Sequence, residues 1–407
     1  MLKLNPSKIA LEVFSALTYA VDAQRSKNLY HAWKVAILST HFAKSIKNPR
    51  KIKEVFYAAL LHDVGGVGFP FHIVHYLKRN DKVSRDTLLS HPIIGAQLIS
   101  NIPQMGSVAK LILDHHEWIN GQGYPRAKTA KYIPWGSQVI RLADTIDTAL
   151  QTEKIDNLNT LKNKLSLNVN KEYSKDLFEV AFKILNKDGL FKKIISYQSI
   201  PYLFNETKEN VGLIYIPQKI DAVGTVLEVT AQIIDMRHPY SAGHSLRVSR
   251  YAMACALAMR LEHDEVTKIK WAGLIHDIGK IIISRKVLEK PSVLTAKEYT
   301  EVKRHSSLTQ EILKMVTTLK EIAPIAASHH EYYDGSGYPQ GLKGDLIPLG
   351  ARILAICDAF DAMTSNRPYR KPLSHLEACK ELEKLSGKQF DPEIVKQTLP
   401  IFKNLGI

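Results

Sequence analysis

Two copies of one unusual peptide constrain this chain more than any other feature of its sequence. Residues 115–125 read HHEWINGQGYP and residues 329–339 read HHEYYDGSGYP, so the two stretches begin 214 residues apart. The same offset places His62–Asp63 on His276–Asp277. Self-similarity at a fixed long spacing is the signature of a repeated structural unit. The chain is therefore expected to contain two copies of one structural unit.

The other histidines and aspartates keep the same register. Further pairs are His91 with His305, His115 with His329, His116 with His330, Asp144 with Asp358 and Asp147 with Asp361. A slip of one residue also aligns His31 in YHAWKVA with His244 in GHSLRVS. Chance does not preserve such a register, and a chain of 407 residues suits two domains. We predict an internal duplication, with one domain at 1–210 and the second at 216–407.

The apolar pattern predicts helices in both copies. KIKEVFYAALLHD and VTKIKWAGLIHD carry apolar residues at helical spacing up to the His-Asp pair. Residues 151–200 are rich in lysine and asparagine but keep helical spacing, and we assign them to the closing helices of the first copy. The best strand signal is VGLIYIP at 211–217, within a predicted linker. The predicted fold class is all-α, with two tandem helical domains related by duplication.

The composition limits the cellular setting. No run of about 18 or more uncharged apolar residues occurs, which argues against a membrane span. Glu12 interrupts the apolar stretch at the N terminus, so we interpret that stretch as a helix of a domain and not as a secretion signal. The three cysteines form no CxxC pair, which fits a reducing cytoplasm.

The net charge of +15 leaves two interpretations open. One is a solvated basic surface, and the other is an anionic partner such as nucleic acid, anionic lipid or a phosphorylated small molecule. No basic tail or base-stacking motif accompanies the charge. Nucleic acid is therefore disfavoured as a partner.

The second copy carries side chains suited to binding metal ions. Its seven candidate ligands are His244, His276, Asp277, His305, His329, His330 and Asp358. Imidazole and carboxylate without thiolate suit Fe, Mn, Ni or Zn. Seven ligands are too many for one ion, so we predict two divalent ions. Asp277 has two oxygens and is the candidate for the bridge between them.

Three basic residues near these ligands are candidates for holding phosphate. Lys280 lies one helical turn after His276, so the two side chains share a face. Arg367 and Arg370, in SNRPYRKP, follow Asp358 closely and offer forked donors. Each residue alone would be an ordinary exposed base. Together with two metal ions they favour cleavage of a phosphate ester.

The motifs of the second copy resemble those of the HD-GYP family of bacterial phosphodiesterases, within the HD phosphohydrolase superfamily. The shared motifs are GHSLRV, HDIGK, the RH of VKRHSSLTQEIL, HHEYYDGSGYP, ICDAFDAM and RPYR. The resemblance implies a compact all-helical domain of HD type. It also implies hydrolysis of a cyclic dinucleotide, cyclic di-GMP or 3′3′-cyclic GMP-AMP, to a linear dinucleotide at a centre of two or three ions, commonly iron or manganese.

The family's site residues carry over position by position. Its metal ligands fall on the seven candidates named above, and the resemblance implies that Asp277 and Lys280 are catalytic. The residues implied to contact the substrate are Lys280, Gly337, Tyr338, Pro339, Arg367 and Arg370. Members with three ions have a glutamate four residues before the first histidine. Tyr240 stands at that position here, so we predict two ions.

The first copy resembles the same family but lacks its phosphate-holding groups. It retains seven possible metal ligands: His31, His62, Asp63, His91, His115, His116 and Asp144. Gly66 replaces the lysine of HDIGK, and TALQTEKID after Asp147 contains nothing like RPYR. This pattern predicts a site that can hold metal but hydrolyses poorly or not at all. Its role stays open between sensing or regulation of the second copy and a pseudo-enzyme domain that supplies an interface.

The whole chain is therefore predicted to be a cytoplasmic cyclic-dinucleotide phosphodiesterase, without a membrane partner. We expect contact between the two domains, and a homodimer is one possible assembly. The alternative is a metal- or nucleotide-sensing binding protein with little hydrolysis. The intact HDIGK and RPYR motifs of the second copy count against that alternative.

Overall fold

The computed structural model of the chain describes residues 4–23, 29–46, 48–69, 82–218, 221–237, 242–366 and 371–404. The regular structure of these residues is helical, and pairing of extended segments within them is limited to isolated β-bridges. The predicted all-α fold class is confirmed. The described helices include none with the length and apolar character needed to cross a bilayer.

The chain divides into two compact units. The N-terminal unit contains Val21–Ala222, and the C-terminal unit contains Met1–Ala20 together with Val223–Ile407. The predicted domains, 1–210 and 216–407, differ from these units mainly in the first twenty residues, which group with the second copy.

The first helix explains this grouping. Helix α1 (Pro6–Ala23) forms where the sequence predicted a domain helix, and Phe14 and Leu17 on it are fully buried. Within the C-terminal unit, Glu12 accepts hydrogen bonds from Thr317 Oγ1 at 2.8 Å and from the Thr318 amide at 3.0 Å. The residue that interrupts the apolar stretch therefore anchors the helix to the second copy.

The N-terminal unit is a succession of helices that ends near residue 211. They are α2 (His31–Ala43), α3 (Pro49–Leu61), α4 (Lys82–Ser100), α5 (Gly106–Leu113), α6 (Trp135–Glu153), α7 (Leu158–Ser166), α8 (Lys175–Asn186), α9 (Leu190–Ile195) and α10 (Ile200–Val211). Helices α7 to α9 occupy the lysine-rich segment, as predicted.

Residues 211–217, which carry the best strand signal of the sequence within the predicted linker, form no strand. Val211 ends α10, and the residues after it are irregular. Their backbone groups pair with side chains, because Lys53 Nζ donates to Leu213 O at 3.0 Å and the Ile214 amide donates to Tyr57 Oη at 3.3 Å. The apolar character of VGLIYIP therefore reflects burial of single side chains such as Ile214, and not a β-ladder.

The C-terminal unit repeats much of this order. Its helices are α11 (Ala222–Asp235), α12 (His244–Ala258), α13 (His263–Ile275), α14 (Arg285–Leu288), α15 (Ala296–Lys314), α16 (Ala323–Ala327), α17 (Leu349–Thr364), α18 (His375–Lys384) and α19 (Pro392–Lys403). The sequence marks several of these ends. Thr295 and Glu298, for example, form a capping box at the start of α15.

A tight turn after the His-Asp pair packs directly on α15. The turn spans Ile278–Ile281, and Thr309 binds both sides of it: its Oγ1 accepts from the Gly279 amide at 3.1 Å and donates to His276 O at 3.0 Å. A Cβ atom added to Gly279 would lie 2.0 Å from His305 O. Glycine is therefore required for the His-Asp pair to approach His305.

Replacing this glycine is expected to destabilise the C-terminal unit. Gly279→Ala forces a backbone shift in a packed core, which costs about 1–3 kcal/mol. Thermal unfolding followed by circular dichroism should show a lower Tm than the wild type. Gly106→Ala is the control, because a Cβ atom there meets nothing within 4 Å. Equal Tm values for the two variants would contradict this packing argument.

Candidate metal centres

The seven predicted ligands of the C-terminal unit converge from different helices. They lie at the start of α12 (His244), after α13 (His276, Asp277), in α15 (His305), after α16 (His329, His330) and in α17 (Asp358). Their donor atoms form three overlapping groups, each within 4.8 Å: His305, His329 and His330; His244, His276 and Asp358; and His276, Asp277 and His329. The structure brings all seven predicted residues together.

Asp277 lies at the centre of this cluster. Its Oδ2 is 3.4 Å from His276 Nε2 and 3.7 Å from His244 Nε2. Its Oδ1 is 3.6 Å from His305 Nε2 and 3.9 Å from His329 Nε2. The two carboxylate oxygens thus face two different sets of imidazoles, which is the position that a bridging ligand takes.

The hydrogen bonds of the histidines leave one nitrogen of each ring directed at the cluster. Nδ1 of His276, His305 and His329 donates to a backbone carbonyl at 2.8, 2.6 and 2.7 Å, respectively. Because Nδ1 carries the proton in each neutral ring, Nε2 presents a lone pair. His305 Nε2 and His329 Nε2 lie 3.5 Å apart. Two facing lone pairs repel each other unless a cation lies near them, so these donors fit bound metal ions.

Electrostatics keeps most of these ligands in their metal-binding protonation states. Burial lowers the pKa of His305 to about 4 and the pKa of His330 to about 3, so both rings are neutral at pH 7. Burial opposes ionisation of Asp277, but the Lys280 ammonium outweighs it and holds the pKa of that carboxyl well below its usual range. The buried Oδ1 of Asp277 has no hydrogen-bond partner among the described residues. A cation is the natural partner for this ionised oxygen.

Asp361 orients the first ligand of the cluster. Its Oδ2 accepts from His244 Nδ1 at 2.7 Å, and its Oδ1 accepts from Arg247 Nε at 2.6 Å. Burial lowers the pKa of His244, but the carboxylates of Asp358 and Asp361 raise it to about 10. Our sequence reasoning assigned Asp361 no role, although its register with Asp147 was a visible signal.

Weakening this contact is expected to weaken metal binding. Asp361→Asn keeps an oxygen near His244 Nδ1 but removes the charge, and the loss of such an outer partner typically costs about 10- to 100-fold in metal affinity. Mn²⁺ titration of the metal-free protein measures the change. Asp345→Asn is the matched control, since its side chain is 88% exposed. Equal affinities in both variants would exclude a role for Asp361 in metal binding.

The Gly-Tyr-Pro loop packs beside the same cluster of ligands. Glu331 Oε1 accepts from the Gln340 amide at 2.7 Å and Oε2 from the Leu342 amide at 2.9 Å. The Tyr338 ring lies 4.9 Å from the His330 ring, and the Tyr338 amide donates to His330 O at 3.0 Å. The glutamate of the HHE triplet therefore holds Gly337, Tyr338 and Pro339 beside the ligands, a role that sequence reasoning missed.

Of the three predicted phosphate-holding residues, Lys280 lies within the described part of the chain. Lys280 Nζ donates to Asp277 Oδ2, and its side chain is 28% exposed. It thus reaches both the cluster and solvent. Arg367, Arg370 and Tyr240 lie outside the described residues.

The N-terminal unit assembles the corresponding seven residues. Its donor atoms form two groups within 4.8 Å: Asp63, His91, His115 and His116; and His31, His62 and Asp144. Asp63 Oδ1 is 3.6 Å from Nε2 of both His62 and His91, and Asp63 Oδ2 is 3.9 Å from His31 Nε2. The central position of Asp63 matches that of Asp277. Gly66, at the position of Lys280, supplies no cation.

The sequence profile of the HD domain family matches residues 21–170 and 228–394. The two matches cover more than half of the chain, and one falls in each copy. The chain therefore belongs to the HD domain family. The tandem arrangement inferred from the repeat is confirmed.

Similarity to individual proteins extends this result. A cyclic di-GMP phosphodiesterase of Thermotoga maritima is 37% identical over 206 residues, covering 50% of this chain and 55% of that protein. The 3′3′-cGAMP-specific phosphodiesterase 1 of Vibrio cholerae is 26% identical over 372 residues, covering 89% of this chain and 84% of that one. The chain thus spans about half the length of the Thermotoga relative.

A solved structure shares the fold over nearly the whole chain. It is that of a cyclic GMP-AMP specific phosphodiesterase of V. cholerae, with a TM-score of 0.66, 22% identity and coverage of 97% of both chains. The predicted resemblance to the HD-GYP phosphodiesterases is confirmed.

Proposed function

We propose that the chain is a metal-dependent phosphodiesterase that hydrolyses a cyclic dinucleotide, and that the C-terminal unit performs the chemistry. The observation that carries this proposal is the position of Asp277 between two sets of imidazoles, with Lys280 beside it and the Gly-Tyr-Pro loop adjacent. The relatives act on cyclic di-GMP and on 3′3′-cGAMP, as their names state, and both are candidate substrates here.

The proposed cofactors are two divalent ions in the C-terminal unit. The imidazole-carboxylate donor set suits iron or manganese, with nickel and zinc as alternatives. Bound at these residues, such ions would supply Lewis-acid activation of water and of the phosphate. One ion would be held by His244, His276 and Asp358, the other by His305, His329 and His330, with Asp277 between them.

The residues of the chain have distinct tasks in the proposed reaction. Asp277 stays ionised and presents one carboxylate oxygen to each of the two sets of histidines. The Lys280 ammonium can donate to a phosphate oxygen, where it would stabilise the negative charge that develops in the transition state. Tyr338, packed on His330, borders the space beside the ligands. The oxygen of water joins phosphorus and the P–O3′ bond breaks. One proton of that water is lost to solvent or retained on the new 5′-phosphate, O3′ takes up a proton and becomes a hydroxyl, and the product is a linear dinucleotide.

The N-terminal unit is proposed not to hydrolyse the substrate. It has the ligands but lacks the lysine, since Gly66 stands at that position, and its role is sensing or support of the catalytic unit. The proposed setting is the cytoplasm, which the three free, buried cysteines support.

Parallel hydrolysis assays test this function. The purified protein, loaded anaerobically with Fe²⁺ or Mn²⁺, is incubated with cyclic di-GMP, 3′3′-cyclic GMP-AMP and cyclic di-AMP in separate reactions. Chromatography then separates cyclic from linear product, and metal analysis is done on the same samples. We expect a linear dinucleotide from one or both guanine-containing substrates. No turnover of any of the three would refute the proposal and favour a binding protein.

A further inference from the structure

One partly buried cation of the N-terminal unit, Arg141, lies beside its ligand cluster. Arg141 lies on α6 one turn before Asp144, and its side chain is 14% exposed. Its Nε donates to Glu172 Oε2 at 2.9 Å and its Nη2 donates to the same oxygen. Its Nη1 lies 3.0 Å from His116 Nδ1 and 3.5 Å from Asp144 Oδ2. The guanidinium therefore links a residue of one donor group to a residue of the other.

The C-terminal unit has uncharged residues at both matching positions. Ala355 stands three residues before the aspartate of α17, as Arg141 does before the aspartate of α6. Gln389 stands one residue before the aromatic member of a β-bridge, as Glu172 does. The ion pair of Arg141 and Glu172 is thus a specific feature of the first copy.

The contact with Arg141 determines where His116 carries its proton. A guanidinium has donors only, so His116 Nδ1 must accept with its lone pair. A neutral imidazole that accepts at Nδ1 carries its proton on Nε2. Neither nitrogen then has a free lone pair, because Nδ1 already binds Arg141 and Nε2 is protonated. His116 therefore cannot ligate a metal ion while Arg141 is in place.

The other donor group of the N-terminal unit keeps its ligands. His62 Nδ1 donates to Ala59 O at 2.8 Å, which leaves Nε2 directed at the cluster. Asp144 Oδ1 lies 3.6 Å from His31 Nε2, whereas Oδ2 of the same carboxylate faces Arg141. One oxygen of Asp144 thus remains directed at His31, and Asp63 adds a further carboxylate to this group.

We infer that the N-terminal unit binds a single divalent cation, at His31, His62, Asp63 and Asp144, and that Arg141 replaces the second ion as a fixed positive charge. The group of Asp63, His91 and His115 loses its fourth ligand, His116. The other group has two carboxylates, Asp63 and Asp144, whose negative charge offsets the nearby guanidinium. A one-ion site cannot clamp both oxygens of a phosphoryl displacement as two ions do. The inference concerns the N-terminal unit alone and does not depend on hydrolysis by the C-terminal unit.

Metal stoichiometry of the full chain tests this inference. The protein is stripped of metal and reloaded with Mn²⁺, unbound ions are removed, and manganese per chain is measured by mass spectrometry. The double variant Arg141→Ala/Glu172→Gln installs the residues of the C-terminal unit without leaving Glu172 buried and unpaired. We expect it to bind one more ion per chain than the wild type. An unchanged count would overturn the inference.

His116 supplies the internal control. His116→Ala alone is expected to leave the manganese count unchanged, because that residue is no ligand in the wild type. Added to the double variant, the same substitution is expected to remove the ion that was gained. Loss of an ion from the single variant would overturn the inference.

A second measurement needs no substitution in the N-terminal unit. His276→Ala/Asp277→Ala disrupts the C-terminal centre, so a spin-coupled pair of Mn²⁺ ions could then form only in the N-terminal unit. We expect the electron paramagnetic resonance spectrum of this variant to show isolated Mn²⁺. A spin-coupled pair would contradict the one-ion site.

Discussion

Asp277→Asn is expected to lower the rate of cyclic-dinucleotide hydrolysis by at least ~10³-fold, about 4 kcal/mol of transition-state stabilisation. The carboxylate faces both histidine sets, with Oδ2 3.4 Å from His276 Nε2 and Oδ1 3.6 Å from His305 Nε2. An amide offers one oxygen and no negative charge, so it cannot serve both sets. The measurement is kcat of the Mn²⁺-loaded variant, with manganese content determined on the same sample.

Asp63→Asn is the matched control for this experiment. Asp63 occupies the same central position in the N-terminal unit, where its Oδ1 is 3.6 Å from Nε2 of both His62 and His91. We expect its substitution to leave kcat within about twofold of the wild type, since the unit lacks the lysine of HDIGK. Similar losses in the two variants would contradict the proposed division of labour between the copies.

Lys280→Met is expected to lower kcat by about 10²-fold, the usual cost of removing one group that stabilises transition-state charge. Lys280 is partly exposed and donates to Asp277, so its ammonium can reach a bound phosphate. Methionine keeps most of the chain volume but no charge. Steady-state kinetics with each candidate substrate measures the effect, and manganese content should stay close to that of the wild type.

Two further variants separate charge from structure at this position. Lys280→Arg restores a cation and should recover part of the lost kcat. Lys384→Met removes a lysine that is 72% exposed, and it should have no effect. A Lys280→Met enzyme with normal kcat would exclude the proposed role of this ammonium.

Much of the fold and of the metal centre could be predicted because both depend on local and repeated signals. Helical spacing of apolar residues marks the helices, and the 214-residue register picks out the ligands from the other histidines. Asp361 shared that register, yet sequence alone did not show that it accepts from His244 Nδ1. The repeat reveals which residues are paired between copies but not which side chains touch.

The features that sequence missed depend on long-range contacts. Arg141 looks like an ordinary helix residue until its contacts with His116 and Glu172 are known. The grouping of α1 with the C-terminal unit rests on Glu12 and residues more than 300 positions away. The strand signal in VGLIYIP failed because apolar content reports burial, whereas a strand also needs a partner strand.

The most direct test of the central claim is a Mn²⁺ titration that follows activity against ions bound. The first copy is disabled by His62→Ala/Asp63→Asn, and the metal-free variant then receives Mn²⁺ in steps, with bound manganese and hydrolysis measured at each step. The account expects hydrolysis to appear as the second ion binds and to reach its maximum near two ions per chain. Full hydrolysis at one bound ion, or none at two, would contradict a two-ion centre in the C-terminal unit.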